Sequence, residues 1–389
     1  MSHATLGSVK IAMLSDCYLP RLGGIEVQVH DLAVRLIDRG HEVIVFTATP
    51  GSHGERGGFV DQVDGVVVHR LALRLPFELP VNPLAPRLLR EELTSGEFDA
   101  VHVHMGVVSP FAVDCTRVAT DMALPTAMTW HCMLGHFEPV FRASGHVRRW
   151  ASRGVVMSAV SAVAAVPLQR IVGSAGIVNI LPNGIDVDRW SMTGQAPARE
   201  SGDSVRVVSA MRLASRKRPL ALLRVLARVR SLVPADTGVH LEIFGDGPDR
   251  RRLERFVVAH DMGGWVRLRG RVTREELKVR YAASDIYVAP APLESFGIAA
   301  LEARTVGLPV VGRLGSGVQE FVKDGLNGFL ATDDEAMARF IARLVADDEL
   351  RGTMSAYNRS TPPEQSWGRI LNDAEAEYRR AIALAGTAR

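Results

Sequence analysis

Two carboxylates, Glu294 and Glu302, flank the start of a predicted helix. Apolar runs before and after that helix predict a strand on each side of it, an order that indicates a parallel sheet. Sheets of this kind bind ligands beyond the carboxyl ends of their strands. Gly297 lets the backbone approach a ligand closely, and a helix that begins there directs free N–H groups at phosphate. Carboxylates accept hydrogen bonds from hydroxyls, so the pattern predicts a site for a nucleotide joined to a sugar.

Two basic residues are expected at the same edge of the sheet. Arg212 follows a predicted strand, and Lys217 comes five residues later. Both lie at the carboxyl end of a strand, as Glu294 does, so their cations could converge on one pyrophosphate. The alternative is a solvated basic turn, because further arginines continue the run. The helix start at Gly297 favours the phosphate interpretation.

Three histidines lie on or beside predicted strands of the first half. His131 directly follows the strand 126–130, at the edge where a ligand is expected, although a lone histidine is more often structural. His102 and His104 alternate along one strand and therefore face the same side. Further ligands for a metal could not be located, so we expect these two to line the site or to lie in the core.

The elements that position these residues alternate between strand and helix in both halves. Strands are predicted at Val9–Leu14, Val43–Thr47, Val66–Arg70, Ala100–His104, Thr126–Trp130 and Val155–Ala159, and then at Val205–Ala210, His240–Phe244, Val266–Arg269, Ile286–Ala289 and Val310–Val311. A chain of 389 residues exceeds what one core usually serves. We therefore predict an N-terminal domain at 1–186, a linker at 187–204, a C-terminal domain at 205–365 and a final helix at 366–389.

The bulk composition describes an ordinary globular protein. The hydrophobic content of 47% and charged content of 23% exclude a disordered chain. A net charge of +3 gives no argument for nucleic acid, and we predict none as a partner. Three irregularly spaced cysteines form neither a disulfide framework nor a zinc site. With a polar N-terminus and no apolar run of membrane-spanning length, these features predict a cytoplasmic protein.

Five motifs follow one another along the chain: Leu22-Gly23-Gly24-Ile25-Glu26, Leu181-Pro182-Asn183-Gly184-Ile185-Asp186, Met211-Arg212-Leu213 with Lys217, Phe244-Gly245-Asp246-Gly247-Pro248, and Glu294 through Glu302. In combination and in this order, they resemble the retaining glycosyltransferases of family 4 over nearly the whole chain. The resemblance implies the α/β fold called GT-B, in which two Rossmann-like, doubly wound parallel-sheet domains face a cleft. It also implies a final helix that crosses back onto the N-terminal domain.

The resemblance assigns roles to residues that match the motifs. In the second half, Glu294 would contact hydroxyls of the donor sugar and Glu302 the ribose. Arg212 and Lys217 would hold the diphosphate. Backbone amides of the donor-binding loop would assist them, and the residues of that loop are Ser295, Phe296, Gly297 and Ile298.

In the first half, the resemblance implies that His131 contacts the donor sugar and is needed for turnover. The loop of Gly23 and Gly24 would admit the donor phosphate and the acceptor, whereas a plain tight turn is the alternative. Two positions depart from the family pattern. Ser316 stands where a glycine is usual before Gly317, and Arg304-Thr305 replaces a small apolar pair after Glu302.

The expected activity is transfer of a hexose from a nucleoside diphosphate sugar to a hydroxyl of a glycan, lipid-linked or small-molecule acceptor. GDP-mannose is slightly favoured as the donor, and UDP-glucose or UDP-N-acetylglucosamine comes next. No cofactor and no metal are expected, since no convincing Asp-x-Asp site is present. The alternatives are a sugar-nucleotide epimerase of the same fold and a non-catalytic module that binds a nucleotide sugar or a membrane.

A basic segment in the first half suggests peripheral membrane contact. Arg148, Arg149 and Arg153 flank Trp150, and no acidic residue occurs from Pro139 to Ile185. Basic residues beside an aromatic anchor suit an anionic membrane surface. A solvated basic face next to a site for an anionic substrate explains the same composition equally well.

Overall fold

The computed structural model describes residues 7–21, 23–73, 82–192 and 204–387. The chain forms two compact units. The first comprises Met1–Gly184 and Trp367–Arg389, and the second is the continuous stretch Ile185–Ser366. At the two ends of the second unit, Ile185 pairs with Ser366 in a parallel β-bridge, and the N–H of Ile185 donates to the carbonyl of Gln365 over 2.8 Å.

In the described part of the first unit, eight strands form one sheet in the order β3-β4-β2-β1-β5-β6-β7-β8. They are β1 Lys10–Ser15, β2 Glu42–Thr47, β3 Phe59–Val63, β4 Val66–Arg70, β5 Ala100–Met105, β6 Thr126–Trp130, β7 Val156–Ala159 and β8 Val178–Ile180. Neighbouring strands are parallel except β3, which pairs antiparallel with β4. The central strands β1, β5 and β6 are buried almost throughout, because helices cover both faces of the sheet.

The helices of the first unit are α1 Gly24–Asp38, α2 Ala85–Ser95, α3 Pro110–Asp121, α4 Glu138–Ser144, α5 His146–Ser152, α6 Ala162–Val172 and the last helix of the chain, α14 Trp367–Thr387. Apolar residues recur on one face of α1, and Gly40 follows its end with a positive φ of 93°. Helices α1 and α14 share a core on one face of the sheet, where Val29 and Tyr378 belong to the same buried cluster. The cluster on the other face draws on α2, α3, α5 and α6.

In the described part of the second unit, six parallel strands form a sheet in the order β11-β10-β9-β12-β13-β14. They are β9 Val205–Ala210, β10 Val239–Phe244, β11 Val266–Gly270, β12 Ile286–Val288, β13 Val310–Arg313 and β14 Gly328–Ala331. Strand β12 lies beside β9, with Ile286 opposite Val207. The strand order reverses between these two strands, and such a reversal is where open parallel sheets bind ligands.

The helices of the second unit are α7 Val187–Trp190, α8 Pro219–Leu232, α9 Arg250–Ala259, α10 Arg274–Ala282, α11 Ile298–Val306, α12 Asp334–Ala346 and α13 Asp348–Ser360. Local side-chain bonds fix several starts. Thr273 and Glu276 form a reciprocal capping box at α10, and the Asp333 carboxylate accepts from the N–H of Ala336 at α12. Helices α8 and α12 pack together, while α11 lies on β12 and β13.

The parallel α/β class predicted from the alternating pattern is confirmed. Every predicted strand is present within about two residues, an ordinary uncertainty for element ends. Strands β3, β8 and β14 were not predicted. Of the predicted linker 187–204, residues 187–190 form α7, whose Trp190 is buried with its ring 6.0 Å from that of Tyr281. Residues 193–203 of that linker lie outside the described residues.

Candidate functional site

The candidate donor site of the second unit is built on the loops that follow β9 and β12. Lys217 ends a short 3-10 turn after β9, and Glu294 lies in the loop after β12. The Lys217 ammonium donates to Oε2 of Glu294 over 2.5 Å, although the two residues are 77 positions apart. Because β9 and β12 are adjacent, their carboxyl ends bring the predicted cation and carboxylate into contact.

Arg212 lies in the first loop, which is held by the glycine-rich turn after β10. The N–H of Met211 donates to Phe244 O, and the N–H of Leu213 donates to Asp246 O, each over 3.0 Å. A Cβ at Gly245 would lie only 2.0 Å from the carbonyl oxygen of Met211. The motif around residues 244–248 therefore serves as a close backbone support for the Arg212 loop, which explains its glycines.

Helix α11 begins directly after the Glu294 loop. Gly297 precedes it with φ +90°, a backbone conformation that favours glycine. The N–H groups of Gly297 and Ile298 stand at the helix start, where no acceptor exists within the helix. Phe296 is 1% exposed and packs 5.7 Å from the ring of Phe321, so the apolar side chain anchors the loop while Ser295 stays partly exposed. This arrangement offers an anion site beside the Lys217–Glu294 pair.

Ser316, which departs from the usual glycine before Gly317, is compatible with the donor loop at residues 294–297. The N–H of Gly317 donates to the carbonyl of Glu294 over 2.7 Å, and a Cβ at Gly317 would lie 2.1 Å from the carbonyl oxygen of Ser295. Glycine is therefore required at 317. Ser316 is fully buried and its hydroxyl donates to Arg313 O over 2.7 Å, so serine satisfies its own polar group there.

Glu302 lies in the middle of α11 and is 6% exposed. The unusual pair after it has structural roles. Arg304 is buried and donates to the carbonyl of Thr361 over 3.2 Å, and burial lowers the pKa of its guanidinium. The Thr305 hydroxyl donates to Leu301 O one turn earlier, over 2.8 Å. Both side chains bond to backbone away from the donor loop, so the departure concerns local packing.

Sequence reasoning missed an ion-pair cluster that supports Lys217. The next residue, Arg218, has φ +59° and donates from both terminal nitrogens to Asp334, over 2.9 and 2.8 Å. Arg313 donates to the same carboxylate over 3.2 Å. A bidentate arginine at a left-handed position fixes the end of the turn that carries Lys217. The signal was the Asp333-Asp334 start of α12, a helix that was not predicted.

The candidate residues of the first unit lie after β1 and β6. His131 follows β6 and is 8% exposed, with its backbone N–H donating to Met105 O over 2.9 Å. Its Nε2 lies 3.0 Å from Nδ1 of His104. Burial lowers the pKa of His131 to about 4, against a hydrogen bond with the Asn183 side chain that raises it. The imidazole is therefore neutral at physiological pH.

Gly23 and Gly24 form the start of α1. Gly23 is the N-cap in an extended conformation, and both glycines are exposed, whereas Leu22 lies outside the described residues. Glu26 in the first helical turn is buried and pairs with Arg21 over 3.1 Å. The start of α1 therefore already has an acidic side chain in its first turn.

A buried carboxylate that sequence reasoning missed supports the same region. Asp16, in the loop after β1, accepts from the backbone N–H groups of Phe111 and Ala112 at the start of α3. Burial raises the pKa of Asp16 to about 7, although these hydrogen bonds oppose the shift. The carboxyl group ties the β1–α1 loop to α3.

Comparison with known proteins identifies the family. The family model described as Glycosyltransferase Family 4 matches residues 22–189, and that described as Glycosyl transferases group 1 matches residues 195–361. The GDP-mannose-dependent alpha-(1-6)-phosphatidylinositol monomannoside mannosyltransferase of Mycolicibacterium smegmatis is 30% identical over 372 residues, covering 89% of this chain and 92% of that protein. The chain belongs to glycosyltransferase family 4.

Other similar proteins agree with this assignment. A phosphatidylinositol N-acetylglucosaminyltransferase component from Arabidopsis thaliana is 26% identical over 386 residues, covering 96% of this chain and 82% of that protein. The crystal structure of Anabaena HepE in complex with UDP matches with a TM-score of 0.70 at 20% identity, covering 95% of this chain and 98% of that one. The glycosyltransferase therefore has the predicted GT-B fold, with its final helix present as α14.

One residue of the basic segment, Trp150, is not placed where the predicted membrane contact requires it. Trp150 is 4% exposed and packs within a cluster of buried apolar residues of the first unit, so it cannot serve as a membrane anchor. Arg148 and Arg149 are exposed, and Arg153 pairs with Asp121 over 3.2 Å. The exposed apolar side chains nearby are Phe137 and Val140, at the start of α4 and within it.

The described part of the glycosyltransferase has neither a metal cluster nor a membrane-spanning helix. Within residues 7–21, 23–73, 82–192 and 204–387, no group of three or more His, Cys, Asp or Glu side chains is placed to hold a metal ion. In the same part of the chain, none of the helices has the length and apolar character needed to cross a bilayer.

Proposed function

We propose that this glycosyltransferase moves a hexose from a nucleoside diphosphate sugar to an acceptor hydroxyl with retention of anomeric configuration. The observation that carries the proposal is the contact of Lys217 with Glu294 at the start of α11. A cation, a carboxylate and free helix amides at one sheet edge match a diphosphate joined to a sugar. Arg212, on the same loop as Lys217, supplies a second cation.

The chemistry follows from the charge that develops as the sugar–phosphate bond breaks. Negative charge accumulates on the leaving diphosphate, and positive character accumulates on the anomeric carbon. The cations of Arg212 and Lys217 and the N–H groups at Gly297 stabilise the leaving group. Glu294 accepts hydrogen bonds from sugar hydroxyls, Glu302 binds the ribose, and His131 contacts the sugar. No cofactor is part of this proposal.

For the donor, GDP-mannose is proposed first and a UDP-sugar second. The Mycolicibacterium smegmatis relative is GDP-mannose-dependent by name, which supports the first choice. The Arabidopsis relative is named as part of an N-acetylglucosaminyltransferase and HepE was solved with UDP, which supports the second. The nucleotide-binding residues proposed above contact phosphates and ribose, so they suit both bases.

For the acceptor, we propose a hydroxyl of a lipid-linked molecule. The names of both relatives describe transfer that involves phosphatidylinositol, which supports a lipid acceptor. The exposed Phe137 and Val140 lie in or beside α4, which packs against α5 with its exposed Arg148 and Arg149. Apolar side chains next to cations suit the interface of an anionic bilayer, so we propose peripheral contact there.

Thermal unfolding with GDP and with UDP tests the donor site. A ligand at about 100 times its dissociation constant stabilises the protein by about 2.7 kcal/mol. We expect the nucleotide of the true donor to stabilise the wild type more than the other nucleotide does, and neither to stabilise the Arg212→Ala/Lys217→Ala variant. The control is Arg251→Ala/Arg252→Ala, which removes the same charge from the exposed face of α9 and should respond as the wild type does.

Product analysis separates the proposal from its rivals. A transferase releases the nucleoside diphosphate and joins the sugar to an acceptor or to water. An epimerase changes the donor sugar when no acceptor is present. A binding module stabilised by nucleotide but without any turnover would contradict the proposed activity, and a product with inverted configuration, seen by NMR, would contradict retention.

A further inference from the structure

The hairpin of β3 and β4 is hydrogen-bonded to the loop that follows β1. Arg70 ends β4 beside the end of β2, and it is 0% exposed. Its Nη1 donates to the carbonyl of Leu19 over 2.5 Å, whereas Nε and Nη2 donate to Oδ2 of Asp61 on β3 over 3.2 and 2.8 Å. Each nitrogen of the buried guanidinium therefore has an acceptor, and the hairpin bonds the loop through a cation.

The turn of the same hairpin is connected to the neighbouring loop residue. Asp64 lies in that turn with φ 47°, and its Oδ2 is 3.0 Å from Nε2 of His30 on α1. Nδ1 of His30 lies 2.7 Å from the Tyr18 hydroxyl. Tyr18 and His30 are 0% and 7% exposed, so solvent hardly reaches the contact between them. Two consecutive residues of the loop, 18 and 19, are therefore held by two different parts of one hairpin.

The stability of the hairpin does not explain why an arginine is buried there. Removing a guanidinium from water costs free energy that its ion pair often does not recover, and apolar residues of similar volume are frequently as stabilising. Strand β3 adds little apolar burial, because its residues are exposed or half-buried throughout. An apolar side chain could fill the space of Arg70 but could not bind the carbonyl of Leu19. The bond to the loop is therefore the better explanation of this arginine.

Other elements hold the beginning of the same loop. The Asp16 carboxylate accepts from two N–H groups at the start of α3, and the N–H of Tyr18 donates to Thr49 Oγ1 over 3.0 Å. Residues 16–19 are thus bonded to several parts of the first unit. The exposed glycines Gly23 and Gly24 follow a few residues later. The position of this glycine turn therefore depends on the anchors that precede it.

We propose that the hairpin of β3 and β4 positions the β1–α1 loop for sugar transfer, with Arg70 and Tyr18 as positioning residues that act through the glycine turn. The inference rests on the proposed transferase function, in which the loop of Gly23 and Gly24 would admit the donor phosphate and the acceptor. A displacement of reacting groups by about 1 Å can lower a rate about 100-fold, so a firmly held loop has a kinetic consequence.

Hydrogen exchange tests whether the hairpin holds the loop, and it needs no substrate. Asp61→Leu/Arg70→Met replaces both charges by apolar side chains, so no unpaired carboxylate remains and the variant should fold. The amides of Tyr18 and Arg21, which are hydrogen-bonded within the first unit, should exchange at least about tenfold faster than in the wild type, while those of β1 stay protected. Equal exchange in the two proteins would overturn the proposal.

Turnover separates a positioning role from a merely structural one. The single variant Arg70→Met leaves Asp61 unpaired and should lower both the melting temperature and the rate. The double variant should regain most of the melting temperature but not the rate, because the carbonyl of Leu19 still lacks its donor. With phosphatidylinositol vesicles as acceptor, we expect release of GDP from GDP-mannose, or of UDP from UDP-N-acetylglucosamine if that is the donor, to fall at least about tenfold in both variants.

The matched control is Arg351→Met on α13. Arg351 is 8% exposed and likewise donates to a backbone carbonyl, that of Leu344 over 2.5 Å, and to a carboxylate, that of Asp348. The rate of this control should stay near that of the wild type. The donor nucleotide should raise the melting temperature of Asp61→Leu/Arg70→Met as much as that of the wild type, because the cations proposed to bind the diphosphate are unchanged.

A smaller change, Tyr18→Phe, removes only the hydroxyl and should lower the rate at least about threefold. It decides the question by rate and by exchange if the double variant does not fold. A rate that recovers together with the melting temperature in Asp61→Leu/Arg70→Met would overturn the proposal, as would wild-type rates in both that variant and Tyr18→Phe. A wild type that releases no nucleoside diphosphate would instead contradict the proposed function, and the exchange measurement would still show whether the hairpin holds the loop.

Discussion

Lys217 and Glu294 meet in an ion pair with 2.5 Å between Nζ and Oε2, at the edge where β9 and β12 end side by side. Their side chains are 23% and 18% exposed, so solvent reaches both. Exposed or partly exposed pairs contribute little to folding, typically less than about 1 kcal/mol. The pair is therefore better explained by the chemistry of the site than by stability.

Replacing Glu294 separates those two explanations. Glu294→Gln keeps the shape of the side chain but removes the charge that pairs with Lys217 and would accept hydrogen bonds from sugar hydroxyls. We expect turnover of the donor to fall by about 100-fold or more while the melting temperature changes by only about 2 °C. The matched control is Glu335→Gln, which breaks an exposed pair with Arg228 on α8 and should not change turnover. Normal turnover in Glu294→Gln would mean that the donor site has been misassigned.

The donor loop should be sensitive to a single methyl group at Gly317. A Cβ there would meet the backbone of Ser295 and Phe296 at 2.1 to 2.5 Å, and backbone atoms cannot move aside cheaply. We expect Gly317→Ala to cost about 1–3 kcal/mol and to weaken nucleotide binding, measured by urea unfolding and by thermal shift. Gly352 lies in α13 with open space around it, so Gly352→Ala should be neutral or stabilising by about 0.5–1 kcal/mol. Equal effects of the two substitutions would contradict this account.

The protonation of Glu377 should make the stability of the first unit depend on pH. Glu377 is 2% exposed on α14, and burial raises the pKa of its carboxyl from 4.5 to about 7. The folded state binds this proton more tightly than the unfolded chain does. The contribution of Glu377 to the free energy of unfolding is therefore largest below pH 4.5. It falls as the pH rises from 4.5 to about 7, and it no longer changes above about pH 7.

Glu377→Gln removes that dependence. Compared with the wild type, the variant should gain about 2–3 kcal/mol of stability between about pH 5 and pH 8, measured by urea unfolding at both values. Other titrating groups, such as Asp16, contribute equally to both proteins and cancel in the difference. A difference that is the same at both pH values would show that Glu377 is not held in its neutral form.

The surface of α4 and α5 should bind anionic vesicles. Phe137→Ser/Val140→Ser should weaken binding to phosphatidylglycerol vesicles about 30-fold or more, because burying each of the two apolar side chains contributes on the order of 1–2 kcal/mol. Arg148→Ala/Arg149→Ala should weaken the same binding and leave the weak binding to phosphatidylcholine unchanged. Val279→Ser alters an equally exposed side chain of the second unit and serves as the control. Unchanged vesicle binding in both the Phe137→Ser/Val140→Ser and the Arg148→Ala/Arg149→Ala variants would contradict membrane contact at this surface.

The sequence was sufficient to predict elements whose burial dictates their composition. Central strands such as β1 (KIAMLS) and β12 (IYV) are almost entirely buried and mostly apolar, and such short apolar runs are easily recognised. Strand β3 lacks this signal, since its sequence FVDQV is exposed or half-buried throughout. Strand β8 has only three residues at the sheet edge, none of them fully buried. Edge strands of this kind carry too little apolar pattern to be separated from loops.

Contacts between distant residues were predictable only where a rule of topology applied. Parallel strands end at the same edge of a sheet, and this rule alone predicted that Lys217 and Glu294 lie close together, without knowledge of either loop. No such rule pairs His104 with His131, because that contact depends on the register of β5 against β6 and on side-chain rotamers. Trp150 was misinterpreted because charged neighbours on a helix describe only the exposed face, and its ring lies on the other.

The bridge between Ile185 and Ser366 means that the two ends of the second unit lie side by side in the structure. The second unit is therefore one continuous insertion into the first unit, the host, which resumes after the insertion with α14. A segment whose two ends are adjacent in the fold can be exchanged through two junctions without cutting the host's sheet. If the proposed donor site lies in the second unit, a chimaera joined at these two residues would carry the donor preference of the relative that supplied Ile185–Ser366.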